Sequence, residues 1–284
     1  MIVVTGATGQ LGRLVIAALL KKVPAAEIIA AVRSPEKAKD LAALGVQVRE
    51  ADYGKPATLD KAFAGADKLL LISSSEVGQR ASQHKAVIAA AGRAGVKLVA
   101  YTSILHADTS PLGLAEEHRA TEAMLQDSGL PFVLLRNGWY TENYAVSIPA
   151  ALAHGAILGS VGKGRISSAA RIDYAEAAAV VLTTEGQAGK VYELAGDDSY
   201  TLADLAAEVT RQSGKAVVYK DLPQADYKAA LLGFGLPEPI AELLSDSDAS
   251  AAKGGLFDDA GVLGKLIGRR TTPLATVVKD AIQA

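Results

Sequence analysis

The sequence predicts an α/β fold, a doubly wound parallel sheet followed by a smaller carboxyl-terminal α/β domain. Three observations carry this expectation. The apolar run Ile2-Val3-Val4 leads directly into a glycine-rich turn, Thr5-Gly6-Ala7-Thr8-Gly9-Gln10-Leu11-Gly12, which leads into the apolar helical face of Leu14 to Leu20. Strand-like and helix-like segments then alternate through the first half of the chain, as parallel βαβ units require. Lys68-Leu69-Leu70-Leu71-Ile72-Ser73 is nearly continuously apolar, which fits a strand buried on both faces.

The first strand, turn and helix together have the order of a Rossmann-type dinucleotide fold. Unpaired backbone N–H groups and the positive end of a helix dipole meet at residues Gly6 to Gly12, an arrangement suited to a pyrophosphate. Gly6 allows the tight turn, Gly9 leaves no Cβ to keep phosphates away, and Gly12 lets helix and strand pack closely. An ordinary βα turn is the plain alternative. Three glycines at this spacing are costly unless the backbone must be approached.

Further strands are expected at Ile28 to Val32, Val46 to Ala51, Lys97 to Thr102 and Phe132 to Arg136. Ser34-Pro35 can cap and open one helix, and Gly129 follows another that ends near Ser128. The pattern loosens after Tyr144, which sets the expected domains at residues 1–144, with room for a later segment to rejoin, and 145–284. In the second part, Ala145 to Ala153 reads as a helix stopped by Gly155, and Gly159 to Ser168 as a hairpin around Gly162-Lys163-Gly164. Asp173 can cap the helix Tyr174 to Thr184. Val191 to Leu194 and Ala216 to Tyr219 read as strands, and Thr201 with Asp204 as a capping box. Ser245 to Gly255 is small, polar and acidic, and reads as a mobile surface loop. A ligand crevice is expected at the carboxyl edge of the sheet, under the smaller domain.

Composition narrows the function classes. The chain has 284 residues, a net charge of −2 and no cysteine. That charge gives no global field for nucleic acid or an anionic membrane. Without cysteine there are no disulfides, thiolate nucleophiles or iron–sulfur ligands, and the four histidines lack metal-ligand spacing. No apolar run is long enough for a membrane span, and Met1 leads straight into the first strand, so a cytoplasmic location is expected. The composition leaves room for a homo-oligomer.

The end of the second strand chooses the nucleotide. An Asp or Glu there accepts from ribose hydroxyls, but this chain has Arg33, whose guanidinium can grip a 2′-phosphate. NADPH is therefore the expected coenzyme, against the plainer reading of Arg33 as a solvated surface residue. Asp52, closing the third strand, reads equally as an adenine neighbour or a turn residue. Ser73-Ser74-Ser75 would form a polar floor beside the ribose, or a plain serine-rich turn. Arg136-Asn137-Gly138-Trp139-Tyr140 suits a flat ring and its carboxamide, with Trp139 equally readable as a core anchor.

One catalytic device is missing. Short-chain dehydrogenases commonly use Tyr-x-x-x-Lys as a proton carrier, yet none of the nine tyrosines here has a lysine four residues on. Ordinary alcohol oxidation and sugar epimerisation are disfavoured. A strongly electrophilic acceptor, such as a quinone, needs little acid help. His84 and His106 read as ordinary helix-face or loop residues, with an acid role as the sharper alternative.

The glycine turn without Tyr-x-x-x-Lys resembles the NmrA-like atypical short-chain dehydrogenases/reductases. Stretches 69–80, 106–114, 134–140 and 253–259 resemble its bacterial quinone-reducing branch. The resemblance implies NADPH held by Gly6, Ala7, Thr8, Gly9, Gln10, Leu11 and Gly12, by Arg33, by Ser73, Ser74 and Ser75, and by Asn137, Gly138, Trp139, Tyr140, Thr141 and Glu142. It places Arg171 on the nicotinamide side and gives Asn143 as the catalytic candidate. It implies two-electron reduction of a small-molecule quinone. Two alternatives remain: a reductase of triarylmethane-like dyes, and an NADP(H)-binding redox sensor without turnover.

Overall fold

A computed structural model describes residues 1–76 and 78–283; Val77, inside the 69–80 stretch quoted above, lies outside the described residues. The first half of the chain carries β1 (Ile2–Val4), α1 (Gln10–Leu19), β2 (Ile28–Val32), α2 (Lys39–Ala43), β3 (Gln47–Glu50), α3 (Pro56–Phe63), β4 (Lys68–Leu71), α4 (Arg80–Arg93), β5 (Leu98–Ile104), α5 (Ala115–Asp127) and β6 (Phe132–Asn137). Then follow α6 (Thr141–Ala145), α7 (Ile148–His154), β7 (Ala156–Gly159), α8 (Arg171–Thr183), β8 (Val191–Leu194), α9 (Leu202–Ser213), β9 (Val218–Asp221), α10 (Gln224–Gly233), α11 (Glu238–Ala251), α12 (Val262–Ile267) and α13 (Leu274–Gln283).

Seven strands form one sheet in the order β3-β2-β1-β4-β5-β6-β8, the doubly wound arrangement expected of alternating βαβ units. Every pairing from β3 through β6 is parallel; Val3, for instance, lies opposite Ile29 on one side and Leu69 on the other. β2 and β5 are buried along their whole length, because helices cover both faces. Order reverses at β1, between β2 and β4, so the loops after these strands flank a switch point at the carboxyl edge.

The chain divides into two compact units. One comprises residues 1–107, 117–137 and 171–193, and holds the large sheet; the other comprises 108–116, 138–170 and 194–284. In the first unit, Leu59, Phe63, Leu69, Leu71, Val87, Val99 and Tyr101 pack into one core.

Several local expectations are corrected. Residues 159–168 do not fold as a hairpin: β7 pairs in parallel with β9, placing Ile157 opposite Tyr219, and Ile166 bridges to Tyr200. Residues 245–251 are not a mobile loop but the end of α11, with Ser245, Ser247, Asp248 and Ser250 all buried. Their small polar side chains satisfy themselves locally. Ser245 Oγ donates to the Glu242 carbonyl at 3.0 Å and Ser247 Oγ to the Leu243 carbonyl at 2.7 Å, so the helix can bury a polar face. The helix read over 145–153 is two helices, 141–145 and 148–154, and Gly155 ends the second in the left-handed conformation. Asp173 is a buried residue within the first turn of α8 rather than its cap. Ser34 precedes a 3₁₀ turn opened by Pro35, but its side chain makes no capping bond. Thr201 and Asp204 do form the reciprocal capping box of α9.

Candidate functional site

The site is built on the chain reversal between β1 and α1. Thr5 anchors it: its Oγ1 donates to the Leu70 carbonyl (2.9 Å) and accepts from the Ile72 N–H (3.0 Å) and the Tyr53 hydroxyl (2.6 Å), fixing the turn to β4. Gly6 takes φ +58°, a conformation that favours glycine, and the Gly9 N–H donates to its carbonyl at 2.9 Å. Gly9 is the N-cap of α1 and has no side chain to occupy the helix's first N–H groups. A Cβ on Gly12 would lie 2.4 Å from the Gly6 oxygen and 2.7 Å from the Ala7 Cα. Gly12 therefore packs against the turn itself, where helix–strand packing was expected.

A cavity of about 450 Å³ opens over this turn. Its walls bring together ten of the predicted residues: Gly6, Thr8, Gly9, Gln10, Leu11, Gly12, Arg33, Ser73, Ser74 and Ser75. Ala7 is fully buried beneath it. Asn137 ends β6, is 6% exposed, and its Oδ1 is buried without a hydrogen-bond partner. Gly138, Trp139, Tyr140, Thr141, Glu142 and Asn143 belong to the second unit and are not among the lining residues, nor is Arg171, which opens α8. Trp139 is 8% exposed, in line with a core role. Thr141 Oγ1 lies 2.8 Å from Ser168 Oγ, which lies 2.6 Å from the Tyr200 hydroxyl.

The Ser73–Ser75 loop is held from behind. The Ser73 N–H donates to Thr102 Oγ1 (2.9 Å) and the Ser74 N–H to His84 Nε2 (3.0 Å), while Arg80 Nε donates to the Ser74 carbonyl (2.8 Å). Both peptide groups of Ser74 are thus taken by side chains of α4. His84 is fully buried; burial, and then the Arg80 charge, push its pKa down to about 3, so the imidazole is neutral. Tyr101, edge-on to His84 at 5.5 Å between ring centroids, bonds His118 Nδ1 at 2.8 Å. Burial likewise keeps the His118 imidazole well below its ordinary pKa.

At the mouth, Arg33 follows the last residue of β2, and its guanidinium meets the Glu76 carboxylate at 2.6 Å. Glu76 Oε2 also accepts from Gln83 Nε2 at 2.7 Å. Asp52 lines the cavity, and its Oδ1 accepts from the Gly54 N–H at 2.9 Å, as a turn residue does. Tyr53, Glu76 and Gln83 line the cavity without having been singled out. For Glu76 and Gln83 the available signal was their place beside the Ser73–Ser75 loop.

At the ends of β5 and β6, Arg136 binds Glu122 at 2.7 and 3.0 Å and Glu193 at 2.8 Å. Those bonds, Glu122's foremost, raise the guanidinium's pKa further. Glu193 Oε2 accepts the His106 N–H at 2.7 Å, and His106 sits at φ +50°.

The NAD(P)H-binding family model matches residues 6–185, which span the turn, the cavity and the large sheet. The chain belongs to the NAD(P)H-binding family. It is 62% identical over 278 residues to quinone oxidoreductase 2 of Escherichia coli (strain K12), covering 98% of this chain and 97% of that one. The crystal structure of the E. coli NADPH-dependent quinone oxidoreductase QOR2 complexed with NADPH superposes with a TM-score of 0.97 at 61% identity, over 99% of this chain and 100% of that chain. The Citrobacter sp. triphenylmethane reductase complexed with NADP(H) gives a TM-score of 0.95 at 43% identity, over 99% of this chain and 100% of that chain. Among the described residues, no helix is long and apolar enough to cross a membrane.

Proposed function

We propose that this family member is an NADPH-dependent oxidoreductase that reduces quinones to hydroquinones by two-electron transfer. The observation that carries the reading is a single cavity walled by the Gly6–Gly12 turn, by Arg33 and by the Ser73–Ser75 loop. The residues present fit the coenzyme. A Cβ at Gly12 would collide with the turn's own backbone, and Gly9 leaves the helix N-terminus bare for a pyrophosphate. A cation stands at the end of β2, where an NAD-preferring site would carry a carboxylate. The 62% identity to quinone oxidoreductase 2 supports the acceptor class.

Bound NADPH supplies a hydride, and the quinone gains two electrons and two protons overall to become the hydroquinone. The chain's part is binding and alignment. The turn N–H groups would hold the pyrophosphate, Arg33 would hold the 2′-phosphate, and the serine loop would lie beside the ribose. Asn137, with its buried unpartnered Oδ1, is proposed to accept from the carboxamide. For Gly138, Trp139, Tyr140, Thr141, Glu142, Arg171 and Asn143, the proposed roles rest on the resemblance. No Tyr-x-x-x-Lys pair serves as proton carrier, and a hydroquinone oxygen can take its proton from water.

The 43% identity to triphenylmethane reductase favours dyes of that class as a second acceptor. NADPH consumption against a panel of quinones, triarylmethane dyes and aldehydes separates the readings. Turnover with simple quinones is expected. Tight NADP⁺ binding without turnover on any acceptor would instead indicate a sensor.

A further inference from the structure

The Arg33–Glu76 ion pair stands where the proposed function needs a free cation. Both residues line the cavity, one from the end of β2 and one from the loop after β4, and their charged atoms meet at 2.6 Å. The pair is not a device for stability. Its side chains are 68% and 44% exposed, and pairs exposed to that degree contribute little. Glu76 is nevertheless held in place: Gln83 Nε2 donates to its other oxygen at 2.7 Å, and its own N–H donates to Ser74 Oγ at 3.2 Å. The carboxylate is therefore a fixed anion on the one guanidinium expected to read a 2′-phosphate.

We propose that Glu76 is a coenzyme-discriminating residue, whose carboxylate occupies on Arg33 the place of the 2′-phosphate and must yield it when NADP(H) binds. The inference rests on the proposed placement of NADP(H) in this cavity. A phosphate dianion outcompetes a carboxylate for a guanidinium, since it offers more charge and more acceptor oxygens. The exchange is possible because the resident pair is weak. Gln83 and Ser74 keep Glu76 at the rim once Arg33 lets go. A coenzyme without the 2′-phosphate leaves the Arg33–Glu76 pair closed and does not meet this competition. Glu76 thus lowers affinity for NADP(H) alone, which eases release of the spent coenzyme.

The test is equilibrium binding of NADP⁺ and NAD⁺ by titration calorimetry to the wild type, Glu76→Gln, Arg33→Ala and the double variant. Glutamine keeps the shape and removes the charge at an exposed site, and a thermal melt verifies the fold. Glu76→Gln is expected to tighten NADP⁺ about two- to fivefold, the worth of an exposed pair, with NAD⁺ changed less than about twofold. Most of the gain should vanish in the Arg33→Ala background, because nothing remains to compete for. Unchanged or weaker NADP⁺ binding in Glu76→Gln, or equal tightening of NAD⁺, overturns the inference. If Arg33→Ala still costs NADP⁺ selectively in that case, the coenzyme placement stands and only the role of Glu76 falls. Equal losses of both nucleotides in Arg33→Ala would remove the placement and the inference together.

Discussion

The N–H of Ser74 donates to Nε2 of His84 at 3.0 Å, which fixes the histidine's tautomer. With Nε2 as acceptor, the ring proton sits on Nδ1 and is donated to Thr121 Oγ1 at 2.9 Å, whose hydroxyl donates to the Glu117 carbonyl at 2.9 Å. The cavity loop thus ends a directed chain of hydrogen bonds running into α5. Replacing His84 by leucine strands the Ser74 N–H and removes the donor to Thr121 Oγ1, whose own bond to the Glu117 carbonyl remains. A loss of about 1–3 kcal/mol in urea unfolding is expected, together with weaker NADP⁺ binding. Glutamine, which keeps an acceptor, should recover part of both.

The same imidazole makes stability depend on acidity. Its folded pKa of about 3 lies below the ordinary 6.5, so the unfolded chain binds more protons throughout that window. His84 therefore contributes fully above pH 6.5, and the contribution is lost as pH falls toward 3. The difference is on the order of 3–5 kcal/mol. Urea unfolding of His84→Gln across pH 4–7 should show a flatter acid limb than the wild type. An identical slope would contradict a buried neutral imidazole.

Asp248 acts with the opposite sign. Its carboxylate accepts from Tyr144 Oη at 3.1 Å and the Ser160 N–H at 2.9 Å, yet burial, with Asp221 adding to it, raises its pKa from 3.8 to about 6. The native state then binds the extra proton, so this group's stabilisation is present below pH 3.8 and lost as pH rises through 6. Tyr144 and Tyr227 face the same carboxylate, and burial keeps both phenols neutral there. Asp248→Asn should gain stability relative to the wild type between pH 4 and 7, by about 1–3 kcal/mol. A constant difference across that range would contradict the assignment.

At Gly12 the expected outcome is steric. A Cβ placed 2.4 Å from the Gly6 oxygen forces the turn's backbone to move. Gly12→Ala should cost about 1–3 kcal/mol in urea unfolding and weaken NADP⁺ at least tenfold. Full retention of binding would show that the turn can move without loss of the site.

Much of this was legible in the sequence. β1, β2, β4, β5 and β6 announced themselves as apolar runs, because a strand covered on both faces has no polar side to blur the signal, whereas the edge strand β3, Gln47–Glu50, is partly exposed. The glycine turn was legible because its context, strand before and helix after, is local. The end of α11 was not: Ser245, Ser247 and Asp248 are buried by virtue of local bonds and distant partners, which composition reads as a loop. Nor was the pairing of β7 with β9, which joins segments some sixty residues apart. Well over half the cavity wall could be named because its residues follow strands directly. Tyr53, Glu76 and Gln83 reach it through tertiary placement, and His84, read as an ordinary helix-face residue, lies behind the loop it positions.

The central claim is that Arg33 reads a phosphorylated coenzyme bound over the Gly6–Gly12 turn. Its most direct test is the ratio of kcat/KM for NADPH over NADH, with one quinone acceptor, in the wild type and in Arg33→Ala. A charge-assisted contact to the 2′-phosphate predicts that the ratio falls about 10- to 150-fold, with NADH nearly unaffected. Equal loss with both coenzymes would contradict the claim.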